Sequence, residues 1–411
     1  MDDLSIIEDG VVHVVGNRIE AVGPASEIVV PDDANIHDAS GQVLMPGFVD
    51  IHAHTSSSNQ GVYAQQSWAY LANLAFGVTT LHDPSNSPQM IFATGELVRS
   101  GRMIGPRLFS TGVILYGAEG SFKAVIDEYD DAVSAIKRTA AWGAFSVKSY
   151  NQPRRNQRQM VIKAGWELGV MVVPEGGSTL QSNLNMLVDG HTTIEHTVPV
   201  APLYEPELRL LSGGTGMIPT LNVGFGGVWG ENYWYQHTNV WENERLMRFV
   251  PASRVVPRAR RRMLVPDEDF HHFALAATTA EIVRRGGHIQ MGSHGQMQGL
   301  GSHWEFWMFG QGGMSNHEAL RAATWMGAYA IGIDDDLGSI RAGKLADLIL
   351  VDGDVLTDLR KSQNISHTMI NGRLYEAATM DQTVPEQVSL PLGPELDGMV
   401  DDFHTGCLHV H

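Results

Sequence analysis

Six times along this chain a helix-like stretch ends at Gly and a short strand-like run follows. The strand-side pieces are "FGVTTLHDP" (76–84), "WGAFSVKSY" (142–150), "LGVMVVPEGG" (168–177), "DGHTTIEHT" (189–197), "GTGMIPTLN" (214–222) and "GGHIQMGSHG" (286–295). The stretches before most of them, such as "YDDAVSAIKRTAAW" and "FALAATTAEIVRR", carry apolar residues at helical spacing. Gly is the expected residue just past a helix end. With "VLMPGFVDIHAH" in front and "PRLFSTGVIL" (106–115) added, the strands number eight. Apolar strands alternating with helices imply a parallel sheet covered by helices. Eight such units read as an α/β fold, a (β/α)8 TIM barrel. A doubly wound open sheet is the runner-up, but no Gly-rich dinucleotide turn follows the first strand.

The two ends read differently. Residues 10–30 alternate like strands around a "GN" turn, and residues 338–376 do so around an "NG" turn. They are expected to pair as one small β-sandwich. That makes residues 1–44 plus 338–378 the small domain, 45–337 the barrel, and 379–411 a C-terminal arm or tail. A chain of 411 residues is long enough for a large core and more than one domain. The net charge of −18 argues against nucleic acid or an anionic membrane as a partner. No apolar run reaches the length of a membrane span. With Cys407 as the one cysteine, neither an internal disulfide nor a structural cysteine–zinc site is expected. No signal peptide opens the chain, so the cytoplasm is the default expectation, with a periplasmic or secreted location if the natural precursor is longer.

In a barrel of this type, function collects at the C-terminal ends of the strands. Those ends carry His52 and His54, His82 and Asp83, Lys148, Glu175, His196, and His294. His52 and His54 are one residue apart on a strand, so their rings point the same way. Metal-capable groups on several strand ends, each after a run of apolar or small residues, point to a shared metal centre. The alternative is a polar barrel mouth in which each group is satisfied by hydrogen bonds. Lys148 stands out because the chain has six lysines against 22 arginines, and this one sits in an apolar segment. A desolvated lysine has a lowered pKa. Its neutral amine can react with carbon dioxide to give a carbamate that bridges two divalent ions. The alternative is an unmodified lysine paired with Glu175.

These pieces, together with "GQVLMPGFVDIHAHT", "TTIEHT", "MIPTL" and "HEALRAATWMGAYAIGIDDDLGSIRAGKLADLILVDGDVL", resemble the metal-dependent amidohydrolase superfamily. The resemblance is to its prolidase and imidazolonepropionase-like branch, and "VVPEGGS" looks most like the domains that follow a TolB-like β-propeller. It runs from near residue 10 to near residue 376. It implies one or two divalent ions, most simply zinc. His52 and His54 would bind one ion, a carboxylated Lys148 would bridge, and His196 would bind the second. Where the family has a strand-5 histidine this chain has Glu175, read as an oxygen ligand. Where the family has the strand-8 aspartate that binds metal and takes the proton of the attacking water, this chain has His294, read as a ligand or the general base. The two exchanges look coupled. Counted with a carbamate, the ligand set stays at two anions and four neutral imidazoles. The activity implied is hydrolysis of an amide C–N bond in a small peptide-like or cyclic amide by metal-activated water, dipeptides included. A mononuclear deaminase of the same superfamily and a catalytically inactive binding or assembly module are the alternatives. The family is often oligomeric, and a homo-oligomer is expected on that ground.

The segment 222–241 is rich in Gly and aromatics and reads as a pocket wall or lid, or as a patch packing on a neighbouring subunit. From it Tyr233 and His237 are expected to contact substrate. His303 in "GLGSHWEFW" is expected to reach the site or else simply to open the next helix. His82 and Asp83 are expected to orient the ligands. The basic "RVVPRARRRM" (254–263) reads as a solvated helix face, or as a dock for a carboxylate or a partner. The tail residues His404, Cys407, His409 and His411 have metal-capable spacing but no framework around them.

Overall fold

The computed structural model describes residues 1–3, 5–55, 63–120, 122–177 and 179–391. The tail histidines and Cys407 lie outside the described residues. The helix–Gly–strand pattern takes the form the sequence implies. Gly77, Gly143, Gly169, Gly190, Gly214 and Gly286 all lie at positive φ, between 66° and 104°. This left-handed conformation ends a helix at no steric cost only when the residue has no Cβ. The helix Tyr129–Ala141 illustrates the local logic. Glu128 and Asp131 form a capping box at its start. Its buried face of Ala132, Ala135, Ile136 and Thr139 follows helical spacing and packs with Leu115, Val147 and Val161.

The strands β1 (Gly10–Val15) and β2 (Arg18–Pro24) form an antiparallel hairpin. β3 (Gln42–Pro46) runs directly into β4 (Phe48–Asp50). β4 makes a three-stranded parallel sheet with β5 (Val78–Asp83) and β6 (Arg107–Ser110). A four-stranded parallel sheet contains β7 (Ile114–Tyr116), β8 (Lys123–Val125), β9 (Ser146–Ser149) and β10 (Met171–Pro174), in the order β10-β9-β7-β8. A third parallel sheet holds β11 (Thr193–Glu195), β12 (Gly216–Ile218) and β13 (His288–Ile289). Then β14 (Leu348–Asp352), β15 (Ile365–Ile370), β16 (Arg373–Glu376) and β17 (Gln382–Val384) join β3 in a five-stranded antiparallel sheet.

The three parallel sheets adjoin one another. A parallel bridge between Glu175 and Glu195 links β10 to β11. The third sheet meets the first where Ile51 N donates to Met291 O (3.1 Å) and His294 N to His52 O (2.7 Å). The ladders nevertheless do not run unbroken around a ring, so the architecture is a mixed α/β fold in which a closed barrel is not shown. Two breaks account for this. The third expected strand splits into β6 and β7 at Gly112 (φ 65°), and the last strand leaves its ladder after Ile289 because the chain turns back at His294 and Gly295.

The two ends of the chain meet. Ile19 of the hairpin packs with Ala346 and Leu348, and Ile19 N donates to Lys344 O (2.8 Å). The antiparallel sheet docks on the parallel part through Arg107, whose guanidinium holds Asp347 at 2.5 and 3.0 Å. Residues 379–391, expected to begin a loose arm, instead supply β17, which covers the exposed edge of β16. The helix Leu300–Gln311 is apolar almost all round, so it lies in the core and is buried from Leu300 to Phe309. Among the described residues no helix is long and apolar enough to cross a membrane.

Candidate metal centre

Every strand within each parallel sheet ends on the same side, and the candidate residues sit there. His52 and His54 follow β4, Asp83 closes β5, Lys148 lies in β9, and Glu175 and His196 come directly after β10 and β11. His294 follows the extended segment after β13. Four imidazoles converge. The His52 ring centroid lies 5.1 Å from that of His54, 4.9 Å from His196 and 5.1 Å from His294. His54 and His294 are 4.7 Å apart, and His196 and His294 5.2 Å. One ring nitrogen each from His52, His54 and His294 falls within 4.8 Å of the others. His196 and His294, and Thr220 beside them, adopt positive φ of 70°, 59° and 48°. Such a conformation is uncommon for residues other than glycine and persists where the surroundings over-determine it.

The hydrogen bonds fix which nitrogen faces inward. Thr220 Oγ1 donates to Pro219 O (2.8 Å) and so accepts from His196 Nδ1 (2.5 Å). His196 Nε2 faces Glu175 Oε1 at 3.1 Å. Two acceptors at that distance need a proton or a cation between them. His54 Nδ1 faces Asp83 Oδ1 at 3.5 Å, which turns its Nε2 toward His52 Nε2, 3.3 Å away. A site of converging imidazole nitrogens suits a divalent transition ion. The donor set therefore fits a metal.

The electrostatics agree. Burial pushes the His294 ring down to about 2, with His54, His196 and Lys148 adding to it. Burial, then the charge of Lys148 and the neighbouring rings, holds His52 well below the usual imidazole range. Both shifts favour the neutral imidazole near neutral pH. Lys148 is buried, and its Nζ lies 2.5 Å from Glu175 Oε2. Burial raises the Glu175 carboxyl, but Lys148 and His196 outweigh it, so the net shift is downward and Glu175 is ionised.

Asp83 faces His54 and is itself held firmly. It accepts from Thr55 N (2.9 Å), Thr55 Oγ1 (2.9 Å) and Asn86 Nδ2 (2.8 Å) while facing His54. His82 acts one layer lower, holding Ile51 O (3.1 Å) and Ser146 Oγ (2.8 Å) and so the backbone that presents His52. Two carboxylates escaped the sequence reading. Glu195 is fully buried and hydrogen-bonded to His52 Nδ1. Burial pushes its carboxyl well above the usual range. A cation on Nε2 of His52 would leave Nδ1–H donating to an ionised Glu195. Asp50 is also buried and accepts from His52 N (3.2 Å), Ser293 N (3.1 Å) and Ser302 Oγ (2.8 Å), tying the His52 and His294 segments together. The available signal was a carboxylate inside an apolar strand next to a histidine, in "TIEH" and "VDIH".

The expected substrate contacts fall elsewhere. His303 is buried, with Nδ1 on Ser362 Oγ (2.9 Å) and Nε2 on Phe76 O (2.8 Å), because its helix is a core helix. Segment 222–241 contains the helix Gly230–His237, and Trp234 and Tyr235 are core residues. Tyr233 packs on His237, Phe270, His272 and Phe273, while His237 Nε2 pairs with Asp267 at the surface (2.7 Å). Neither lines the cleft at the cluster. That cleft, about 270 Å³, opens beside His54 and Gly295 and is walled by Trp68, Met297, Arg254 and Arg258.

The sequence profile of the amidohydrolase family matches residues 283–375. Over 53 residues the chain is 42% identical to the imidazolonepropionase of Sphingopyxis alaskensis, and the match covers 13% of this chain and 13% of that protein's length. In structure it is similar to a Xaa-Pro dipeptidase crystallised with methionine in its active site, with a TM-score of 0.65 and 21% identity over 88% of this chain and 94% of that one. It is also similar to A. niger ochratoxinase, with a TM-score of 0.65 and 15% identity over 90% and 92% of the two chains. Residues 283–375 are thus similar in sequence to the amidohydrolase family, and the chain matches about an eighth of the length of that imidazolonepropionase. Members of the amidohydrolase superfamily use divalent metals, and the cluster of His52, His54 and His294 could bind one.

Proposed function

We propose that this chain is a metal-dependent hydrolase of a small amide, built on a barrel-like ring of its three parallel sheets. The observation that carries the reading is the convergence of four imidazoles, one of which, His54, lines an open cleft. A divalent ion held there, zinc being the simplest, supplies a Lewis acid and lowers the pKa of a bound water. The chain's own residues do the rest. His52, His54 and His294 hold the ion, Asp83 and Glu195 fix the rings, and the cleft positions an amide carbonyl against the cluster. If His294 does not itself hold the ion, its ring, next to the cleft residues Gly295 and Gln296, is the alternative group to take a proton from water and return it to the leaving nitrogen. The finer reading adds His196, Glu175 and a carbamate on Lys148 as holders of a second ion.

A second reading is a mononuclear site of the deaminase type, in which Lys148 stays paired with Glu175. An amide panel of dipeptides and lactams, run beside an amine-release assay on cyclic substrates, separates the two. Amide turnover that a chelator abolishes supports the hydrolase. Amine release without amide cleavage moves the assignment to the deaminase, and neither activity in metal-loaded protein leaves a binding module.

A further inference from the structure

Each of the four imidazoles is backed at Nδ1 by a group outside the cluster, and the backing differs from ring to ring. His52 has the Glu195 carboxyl, and His54 faces Asp83 at 3.5 Å. His196 has the Thr220 hydroxyl (2.5 Å), and His294 has the side-chain amide of Gln296, with Nε2 3.1 Å from Nδ1. A carboxylate behind a metal-bound imidazole raises its basicity and tightens its hold on the ion. The amide brings no charge, so His294 lacks what His52 and His54 have. An amide also accepts through Oε1 when Nδ1 carries the hydrogen and donates through Nε2 when it does not, whereas a carboxylate only accepts. Gln296 can therefore serve His294 in either tautomer. The turn "SHGQMQG" (293–299) that carries both residues is anchored on each side. Gln296 O accepts from Arg258 Nη1. Gln298 is buried, donates from Nε2 to His54 O (2.9 Å) and accepts at Oε1 from Asn73 Nδ2 (2.8 Å).

We infer that Gln296 is a positioning residue that leaves His294 the most weakly held of the three candidate ligands His52, His54 and His294. The two carboxyl-backed rings are the lasting ligands. His294 is the ring that can let go of an ion and receive a proton while keeping its hydrogen-bond partner. This rests on the metal-centre reading and not on the nature of the substrate.

The test measures zinc affinity by competition with a chromogenic chelator, and the His294 tautomer by imidazole nitrogen NMR of the metal-free protein. Gln296→Glu is expected to tighten zinc binding about tenfold or more and to hold His294 as the single tautomer with hydrogen on Nδ1. Gln296→Met, which keeps the length and removes the hydrogen bond, is expected to change zinc affinity by about twofold or less, against about tenfold or more for Glu195→Gln. That comparison stands even where Gln296→Glu does not fold. Zinc affinity that is unchanged or weaker in folded Gln296→Glu, or equal losses in Gln296→Met and Glu195→Gln, overturns the inference. Parent protein that binds no zinc overturns the metal-centre reading and the ranking of ligands with it. The tautomer shift then decides separately whether Gln296 positions the ring.

Discussion

Glu195 is the residue on which the orientation of His52 depends, and the sequence did not single it out. Its neighbour His196 drew attention as an isolated ionisable group after an apolar run, whereas a glutamate beside a histidine reads as ordinary strand-end polarity. Only the packing shows that Glu195 points inward to His52 Nδ1. Replacing it with glutamine keeps the shape but removes the charge that balances a metal-bound imidazole. Glu195→Gln is expected to weaken metal affinity about 10- to 100-fold, measured by competition with a chromogenic chelator. An unchanged affinity would remove Glu195 from the site. His294 has two assigned roles, and one variant separates them. If it is mainly a ligand, His294→Asn loses metal. If it is mainly the proton carrier, the variant keeps its metal and loses about 100-fold or more in turnover. Full turnover with metal retained excludes both.

Elements hold these residues by turns rather than by long strands. The segment after β13 brings His294 to His52 through a turn in which Gly295 sits at φ +67°, and a Cβ there would lie 2.1 Å from His54 O. Gly295→Ala is expected to cost at least about 1–2 kcal/mol from the backbone conformation alone and to displace His54. Denaturant unfolding and metal content should fall together, and a variant as stable as the parent with full metal would show that the turn is not so constrained. The turn after β12 is held by Glu305 of the core helix, which accepts from Leu221 N (2.7 Å) and Asn222 N (3.0 Å). Burial raises its carboxyl to about 8 from an ordinary value of 4.5. Between those values the folded state holds more protons than the unfolded one. The stabilisation is therefore complete below 4.5 and is lost as pH rises through about 8. Glu305→Gln should flatten that slope while costing about 1–3 kcal/mol for the lost acceptor. Urea midpoints at about pH 5 and about pH 9 check both effects. The helix–Gly–strand period was legible because it depends on local spacing and on φ at the glycines. Glu305 and the fate of His303 were not, because they depend on which face of an all-apolar helix meets which turn.

For the whole molecule, the family profile covers residues 283–375, while His52, His54, Lys148, Glu175 and His196 all lie outside it. Single motifs such as "HAH" were readable in that region because a strand places alternate residues together. The closure of the sheets and the partner of Lys148 were not, since both are set by contacts between distant segments. Lys148 is where the molecule's chemistry divides. Paired with Glu175 at 2.5 Å, it neutralises a carboxylate and adds positive charge beside the imidazoles, which disfavours a second cation. Converted to a carbamate, it would free Glu175 and contribute an anion of its own. Metal content should therefore depend on bicarbonate, with about one ion per chain without it and about two with it, by elemental analysis of untagged protein. The thermal midpoint should rise in the same order, because binding to the folded state alone adds about 2.7 kcal/mol at a free metal concentration of 100 Kd. Lys148→Ala should hold the count at about one under both conditions. One ion in the parent protein with or without bicarbonate would retire the carbamate and favour the mononuclear site. No ion under either condition would retire metal-assisted hydrolysis and leave a non-catalytic binding module.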